Sequence, residues 1–320
     1  MKSRVVSDLS EDEIIRQFFE PIAPGLDDDV ARIMLSGDRE LLVSTDALQE
    51  DVHFLRRCPA RLVGEKSVRV NASDIIASGG CPRWITLSIC LPPQLELAWL
   101  RDFSDGVRDG LASTEISLIG GDTTRSIQHI SISITAFGTV ARGCSISRSG
   151  ARVGDILAVT GHVGEAVLGL EIILGKRQME RTRAHAWIMR HFSPPFRRDF
   201  SMAVASRATS MMDLSDGLAT DLPRLCAASG VQAEVDLGWL PLSDEARHAG
   251  LTADEAFAAG EDYELLFTVP PESFSEIERI GENLGVRVTR IGRILDGTGL
   301  RILNGGKLAS PTLHTWKHFK

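Results

Sequence analysis

The chain has 320 residues and a formal net charge of −8, with 43% hydrophobic and 24% charged residues. That length favours two domains, each able to bury its own core, and the composition is that of an ordinary soluble globular protein. The acidic balance, with Arg and Lys scattered among acids, excludes a general nucleic-acid binder.

In chain order, Ser10-Glu11-Asp12-Glu13 reads as a capping box that opens a helix over Ile14 to Phe19. The first residues lack the apolar core of a signal peptide, and no later segment is long and apolar enough to span a bilayer. The five cysteines, Cys58, Cys81, Cys90, Cys144 and Cys226, form no Cys-x-x-Cys pair and no zinc spacing. They suit a reducing cytosol, and the expected location is cytoplasmic.

Asp27-Asp28-Asp29 follows a Pro/Gly passage. Three adjacent carboxylates repel unless they are solvated or neutralised by a cation, so a loop and a metal site both stand. A short strand, Leu41 to Val43, then exits through Ser44-Thr45-Asp46, and seven residues after Asp46 comes His53. Helical spacing covers Arg61 to Ser78, which carries Lys66, Arg69, Asn71 and Asp74. A strand from Trp84 to Leu91 and a helix from about Leu95 to Leu111 come next. The strand Ile116 to Ile119 exits through Gly120-Gly121-Asp122-Thr123-Thr124, where glycines allow close backbone approach and the side chains offer oxygens. Ile130 to Phe137 alternates as a half-buried strand should, and the polar passage Arg142 to Arg152 marks the domain boundary. The expected domains are 1–148 and 149–320.

The second half opens with a strand, Asp155 to Thr160, and a helix containing Gly169 and Gly175-Lys176. This is not a phosphate-binding Walker loop, because the glycines are one residue too far apart and Arg177 follows the lysine. Signatures of serine hydrolases, zincins and dinucleotide folds are also absent. Asp213-Leu214-Ser215-Asp216-Gly217 precedes a helix beginning near Thr220, and Val231 to Leu237 alternates as a strand. Gly260-Glu261-Asp262-Tyr263-Glu264 runs into a further strand ended by Pro270-Pro271, followed by a helix from Phe274 to Leu284 and two short strands.

Asp or Glu beside Ser, Thr or Gly therefore recurs along the chain. Carboxylates gathered in one cleft are destabilising unless a cation compensates them, and Mg²⁺ pairs carboxylates with substrate phosphates. Phosphoryl transfer needs that arrangement, and it needs little covalent chemistry from the protein. Most histidines, His191 among them, read as ordinary packed or surface residues; His53 stands out because it follows Ser44-Thr45-Asp46.

Five motifs in this order carry a resemblance: Ser44-Thr45-Asp46 with His53-Phe54, Arg69-Val-Asn71-x-Ser73-Asp74, Gly120-Gly121-Asp122-Thr123-Thr124, Asp213-Leu-Ser215-Asp216-Gly217-Leu218 and Gly260-Glu261-Asp262-Tyr263-Glu264-Leu265. Over nearly its whole length the chain resembles the bacterial thiamine-monophosphate kinase family of the aminoimidazole-ribonucleotide synthetase superfamily. The resemblance implies a two-domain α/β (α+β) protein whose N-terminal sheet domain dimerises and whose C-terminal α/β domain closes the active-site cleft. It implies direct transfer of the ATP γ-phosphoryl group to thiamine monophosphate, with several Mg²⁺ ions, in a homodimer with no nucleic-acid or membrane partner. By position it makes Asp29, Ser44, Thr45, Asp46, Asp74, Asp122, Asp213 and Asp216 metal ligands. Gly121, Asp122, Arg148 and Ser215 would contact ATP, and His53, Glu261 and Trp316 would hold the acceptor. Asp27 stands where that family has Gly, and Asp51 stands where it often has Gly. The alternatives are another ATP-dependent synthetase or kinase of the same superfamily, or a non-catalytic Mg-nucleotide-binding protein. A selenophosphate synthetase should carry a reactive cysteine in an N-terminal Gly-rich loop, and the first here is Cys58.

Overall fold

The computed structural model describes Glu13, residues 28–35 and residues 37–311. The expected helix over Ile14 to Phe19, Asp27 and Trp316 lie outside the described residues. The first half runs β1 (Ala31–Met34), β2 (Arg39–Gln49), α1 (Ala60–Ala77), β3 (Cys81–Leu91), α2 (Leu97–Thr114), β4 (Ser117–Arg125) and β5 (Ser131–Ala141). Its mixed sheet has the order β1-β2-β5-β3-β4, with β3 and β4 parallel and the other neighbours antiparallel. Alternation sets the two faces. Ile132, Ile134 and Ala136 of β5 are fully buried against the helical side, while Ser131, Ser133 and Thr135 point to the outer face.

Helices α1 and α2 cover the inner face, and glycines bring them into contact. A Cβ at Gly106 would lie 1.8 Å from the Arg61 carbonyl oxygen, and one at Gly64 would lie 2.3 Å from that of Phe103. Helix α1 is also buried on its far side. Ile76 and Ala77 pack with Phe200, Val204, Met211 and Phe267, all from the second half.

The second half supplies β6 (Ile156–Thr160), α3 (Glu165–Ile173), α4 (Arg181–Phe192), α5 (Arg198–Val204), β7 (Ser210–Asp213), α6 (Leu218–Ser229) and β8 (Gln232–Asp236). It continues through α7 (Asp244–His248), α8 (Ala253–Ala258), β9 (Leu265–Val269), α9 (Pro271–Asn283), β10 (Val288–Leu295), β11 (Gly299–Asn304) and β12 (Lys307–Leu308). The seven strands lie in the order β12-β11-β8-β10-β6-β9-β7. Every residue of β6 and β9 is buried, because both faces of this part of the sheet are covered. The architecture is thus a two-domain α/β fold with a five-stranded and a seven-stranded sheet. Among the described residues no helix is long and apolar enough to cross a membrane.

Two sequence expectations are corrected. Ser44-Thr45-Asp46 is not a strand exit, since β2 stays paired with β5 through Gln49 opposite Ser131. Gly120 to Thr124 likewise lies inside β4, paired with β3 as far as Arg125 opposite Leu91. In both places the neighbouring strand satisfies the backbone, and small polar residues are no obstacle to a ladder.

Candidate active site

Three carboxylates converge from three separate segments. Asp29 precedes β1, Asp74 lies in the last turn of α1, and Asp213 ends β7. Each offers an oxygen within 4.8 Å of the other two. Hydroxyls orient two of them: Ser44 Oγ donates to Asp74 Oδ2, and Ser73 bonds Asp213. Arg148 ion-pairs with Asp29, and its backbone N–H donates to Asp28 Oδ1 at 3.2 Å.

One guanidinium does not balance this cluster. Burial, then the Asp213, Asp46 and Asp29 charges, pushes Asp74 well above the usual carboxylate range. Burial and then Asp29 push Asp213 up to about 7. Burial raises Asp29 even against Arg148. Asp29 Oδ2 is buried with no hydrogen-bond partner. An orphaned carboxylate oxygen beside two further hard oxygen donors fits a divalent cation of the Mg²⁺ type.

Two loops close one side of the cleft and brace each other. The Tyr263 N–H donates to the Leu214 carbonyl at 2.9 Å, Glu261 N–H to that of Ser215 at 2.7 Å, and Leu214 N–H to that of Glu264 at 2.9 Å. Gly217 has φ 93°, and a Cβ there would meet the Ala259 carbonyl oxygen at 2.2 Å, so only glycine lets the loops pack this closely. Asp221 accepts from the backbone N–H groups of Asp216 and Gly217, while Arg224 bonds Asp216 Oδ2 at 2.7 Å. Glu264 is fully buried and held by Arg190 and Arg197. This bracing fixes Ser215 and Asp216 beside Asp213.

The far end of the cleft holds His53 and Glu261. His53 Nδ1 accepts from the Gln49 N–H at 2.9 Å, which leaves Nε2 as its protonated nitrogen. Burial opposes ionisation of Glu261, but the charge of Lys66 and its hydrogen bond outweigh it and hold the carboxyl below the usual range. Lys66 ion-pairs with Glu261, a contact signalled in the sequence only by the lysine's place on a helix with Asp74. Ser73, which faces Asp213, lies seven residues after Lys66, or two turns and about 11 Å along α1. Helix α1 therefore carries the acid cluster at one end and the Lys66–Glu261 pair two turns away.

Of the other expected ligands, Asp46 borders the cluster, while Thr45 and Asp122 sit apart. The Asp46 N–H donates to Asn71 Oδ1 at 3.2 Å, and its exposed carboxylate is near enough to raise Asp74 and Asp213. Thr45 Oγ1 faces Ile134 O and Thr135 Oγ1, on the outer face of β2, away from Ser44 and Asp46. Asp122 is also on that outer face, in the row Asp122, Ser88, Ser133, Ala47. It is three strands from β2, roughly 14 Å at about 4.8 Å per step. Gly121 is explained by its neighbour, because a Cβ would lie 2.0 Å from the Leu87 carbonyl oxygen. Sequence reasoning missed Lys66, His191, Asp221 and Tyr263. Helical phase along α1 was the available signal for Lys66.

Residues 27–140 match the AIR synthase related protein N-terminal domain, and residues 152–303 match the C-terminal domain of the same family. A thiamine-monophosphate kinase of Aquifex aeolicus is 36% identical over 286 residues, covering 88% of this chain and 89% of that protein. That of Escherichia coli K12 is 37% identical over 300 residues, covering 92% and 90%. A solved structure of AaThiL complexed with AMPPCP and TMP superposes with a TM-score of 0.89 at 34% identity, covering 100% of both chains. Similarity of this extent, running through both domains, makes the chain a member of the thiamine-monophosphate kinase family.

Proposed function

We propose that the cleft between the two domains binds ATP and thiamine monophosphate end to end along α1, with its acidic end holding several Mg²⁺ ions. The chain phosphorylates thiamine monophosphate to thiamine diphosphate at the expense of ATP, the reaction of the kinases it matches. AMPPCP is an ATP analogue, and its presence with TMP in the AaThiL structure supports this pairing of ligands. The observation that carries the reading is the convergence of Asp29, Asp74 and Asp213 around an unpartnered carboxylate oxygen.

In this reading Asp29, Asp74 and Asp213 hold the cations, assisted by Ser44, Asp46 and Asp216. Mg²⁺ bound there supplies charge neutralisation at the transferring phosphoryl group. Arg148 and Ser215 contact ATP, and Gly121, on β4 with Asp122, would reach it from a second copy of the chain. His53 and Glu261 receive the acceptor, and Trp316 joins them. A phosphate oxygen of thiamine monophosphate forms the new bond to the γ-phosphorus as the bond to the β–γ bridging oxygen breaks, releasing ADP. No side chain takes the phosphoryl group.

Incubation with ATP, Mg²⁺ and thiamine monophosphate will yield thiamine diphosphate, and acid quenching of a reaction with γ-labelled ATP will leave no labelled protein. ATP binding without product would reduce the chain to a nucleotide-binding protein, and a labelled chain would contradict direct transfer.

We set the domain boundary at 148/149, in the passage that Arg148 occupies, and the location in the cytoplasm, in keeping with five unpaired cysteines. The chain is proposed to work as a homodimer through the outer face of its N-terminal sheet. Trp84, opposite Phe137 on that face, is 39% exposed, and the neighbouring edge strand β4 is exposed along all nine residues. A second copy on that face would give Thr45 and Asp122, which point away from the acid cluster of their own chain, a site to serve. Sedimentation equilibrium will return twice the 34.8 kDa chain mass; a single-chain mass at micromolar concentration would overturn the dimer.

A further inference from the structure

Lys66 is 2% exposed, and its ammonium reaches groups from the opposite side of the cleft. It ion-pairs with Glu261, lies 3.1 Å from His191 Nε2, and sits 5.8 Å from the centroid of the Phe192 ring. A buried ammonium is stable only when it is paired and hydrogen-bonded. Burial and then the Lys66 charge lower His191 to about 3, so its ring is neutral and Nε2 accepts from Lys66. Glu261 is fixed from the backbone side as well. Its φ is 72°, a left-handed value unusual for a residue with a side chain, and its N–H is tied to Ser215. Such conformations persist where the surroundings over-determine them.

We propose that Lys66 is a positioning residue for acceptor binding, holding the Glu261 carboxylate in place across the cleft with His191 as its hydrogen-bond acceptor. The inference rests on the reading of Glu261 as an acceptor contact. Without Lys66 the Glu261 side chain has no cation to keep it ionised and aimed, and an acceptor with a cationic ring system meets a disordered or protonated carboxyl. Lys66 acts only through Glu261, so its effect belongs to the acceptor and not to ATP.

A double-mutant cycle separates this role from a merely structural one. Lys66→Met and Glu261→Gln will each raise KM for thiamine monophosphate by about ten-fold, within the range of couplings between contacting residues, and leave KM for ATP unchanged. The double variant will be no worse than Glu261→Gln alone, a coupling of about 1.4 kcal/mol. It will also fold at least as well as Lys66→Met, because no buried charge is stranded. Additive effects on KM, or a matching rise in KM for ATP, would overturn the proposal. An unchanged KM in Glu261→Gln would instead overturn the reading of Glu261 itself. If Lys66→Met does not fold, His191→Leu decides: it retains both charges and will raise KM for thiamine monophosphate several-fold, and no change would sink the proposal.

Discussion

Asp213→Asn will lower kcat for thiamine diphosphate formation by about a thousand-fold, the effect of losing some 4 kcal/mol of charge stabilisation at the transferring phosphoryl group. The chain will remain folded. Asp213 ends a buried strand, but its carboxylate shares the cleft with Asp29 and Asp74, and burial together with Asp29 already pushes it up to about 7. An amide keeps the shape, can still meet the Ser73 hydroxyl, and removes one of the mutually repelling charges. In the absence of Mg²⁺ the variant will therefore unfold at a higher temperature than the wild type. Activity lost together with stability gained is the signature of a ligand site, because a structural aspartate would lose both. Steady-state kinetics and thermal unfolding of the same preparation check the pair, and near wild-type kcat would remove Asp213 from the site.

The metal-free chain will lose stability as pH rises from about 4 to about 7. Asp213 binds its proton more tightly folded than unfolded, at about 7 against 3.8, and Asp74 shifts in the same direction. Asp262, pushed up to about 7 by burial, adds to this. A raised folded pKa gives stability that is complete below the unfolded value and is lost as pH climbs through the folded one. Glu261, Glu264 and His191 are lowered and work the other way. The glutamates lose their contribution only below the ordinary glutamate range. His191, at about 3 against 6.5, offsets part of the loss below about pH 6.5, as one group against several raised aspartates. Above about pH 5 the raised aspartates dominate. Urea unfolding in EDTA will show a lower midpoint at about pH 8 than at about pH 5, and excess Mg²⁺ will recover the loss at the higher pH. A midpoint that rises with pH in EDTA would contradict the charged cluster.

The acids were legible in the sequence because chemistry and spacing survive without coordinates. Asp74 follows Asn71 and Ser73 on a segment with helical period, and Asp213 and Glu261 stand in short acidic turns before or after apolar runs. What the small polar residues do for the backbone is not written in their composition. Ser, Thr, Gly and Asp are common both at strand exits and within ladders next to a neighbouring strand, so by composition alone Ser44 to Asp46 and Gly120 to Thr124 read as strand exits. Continuous pairing then fixes the side-chain parity that divides Ser44 and Asp46 from Thr45 and Asp122. Such parity requires knowledge of register, which composition does not carry. Helix α4 was missed for a different reason. Only His191 and Phe192 of its twelve residues are buried, so it shows almost no apolar stripe to read. The Lys66–Glu261 pair is separated by 195 residues and exists only once the domains meet.

Calorimetric titration of Mg²⁺ into the chain with AMPPCP present, for the wild type and for Asp74→Asn, tests the acid cluster most directly. Asp74 lies among Asp29, Asp213 and the Ser44 hydroxyl, so its carboxylate should be indispensable to cation binding. The wild type will bind Mg²⁺ saturably, and Asp74→Asn will lose the tightest phase. Identical isotherms for the two proteins would contradict the account.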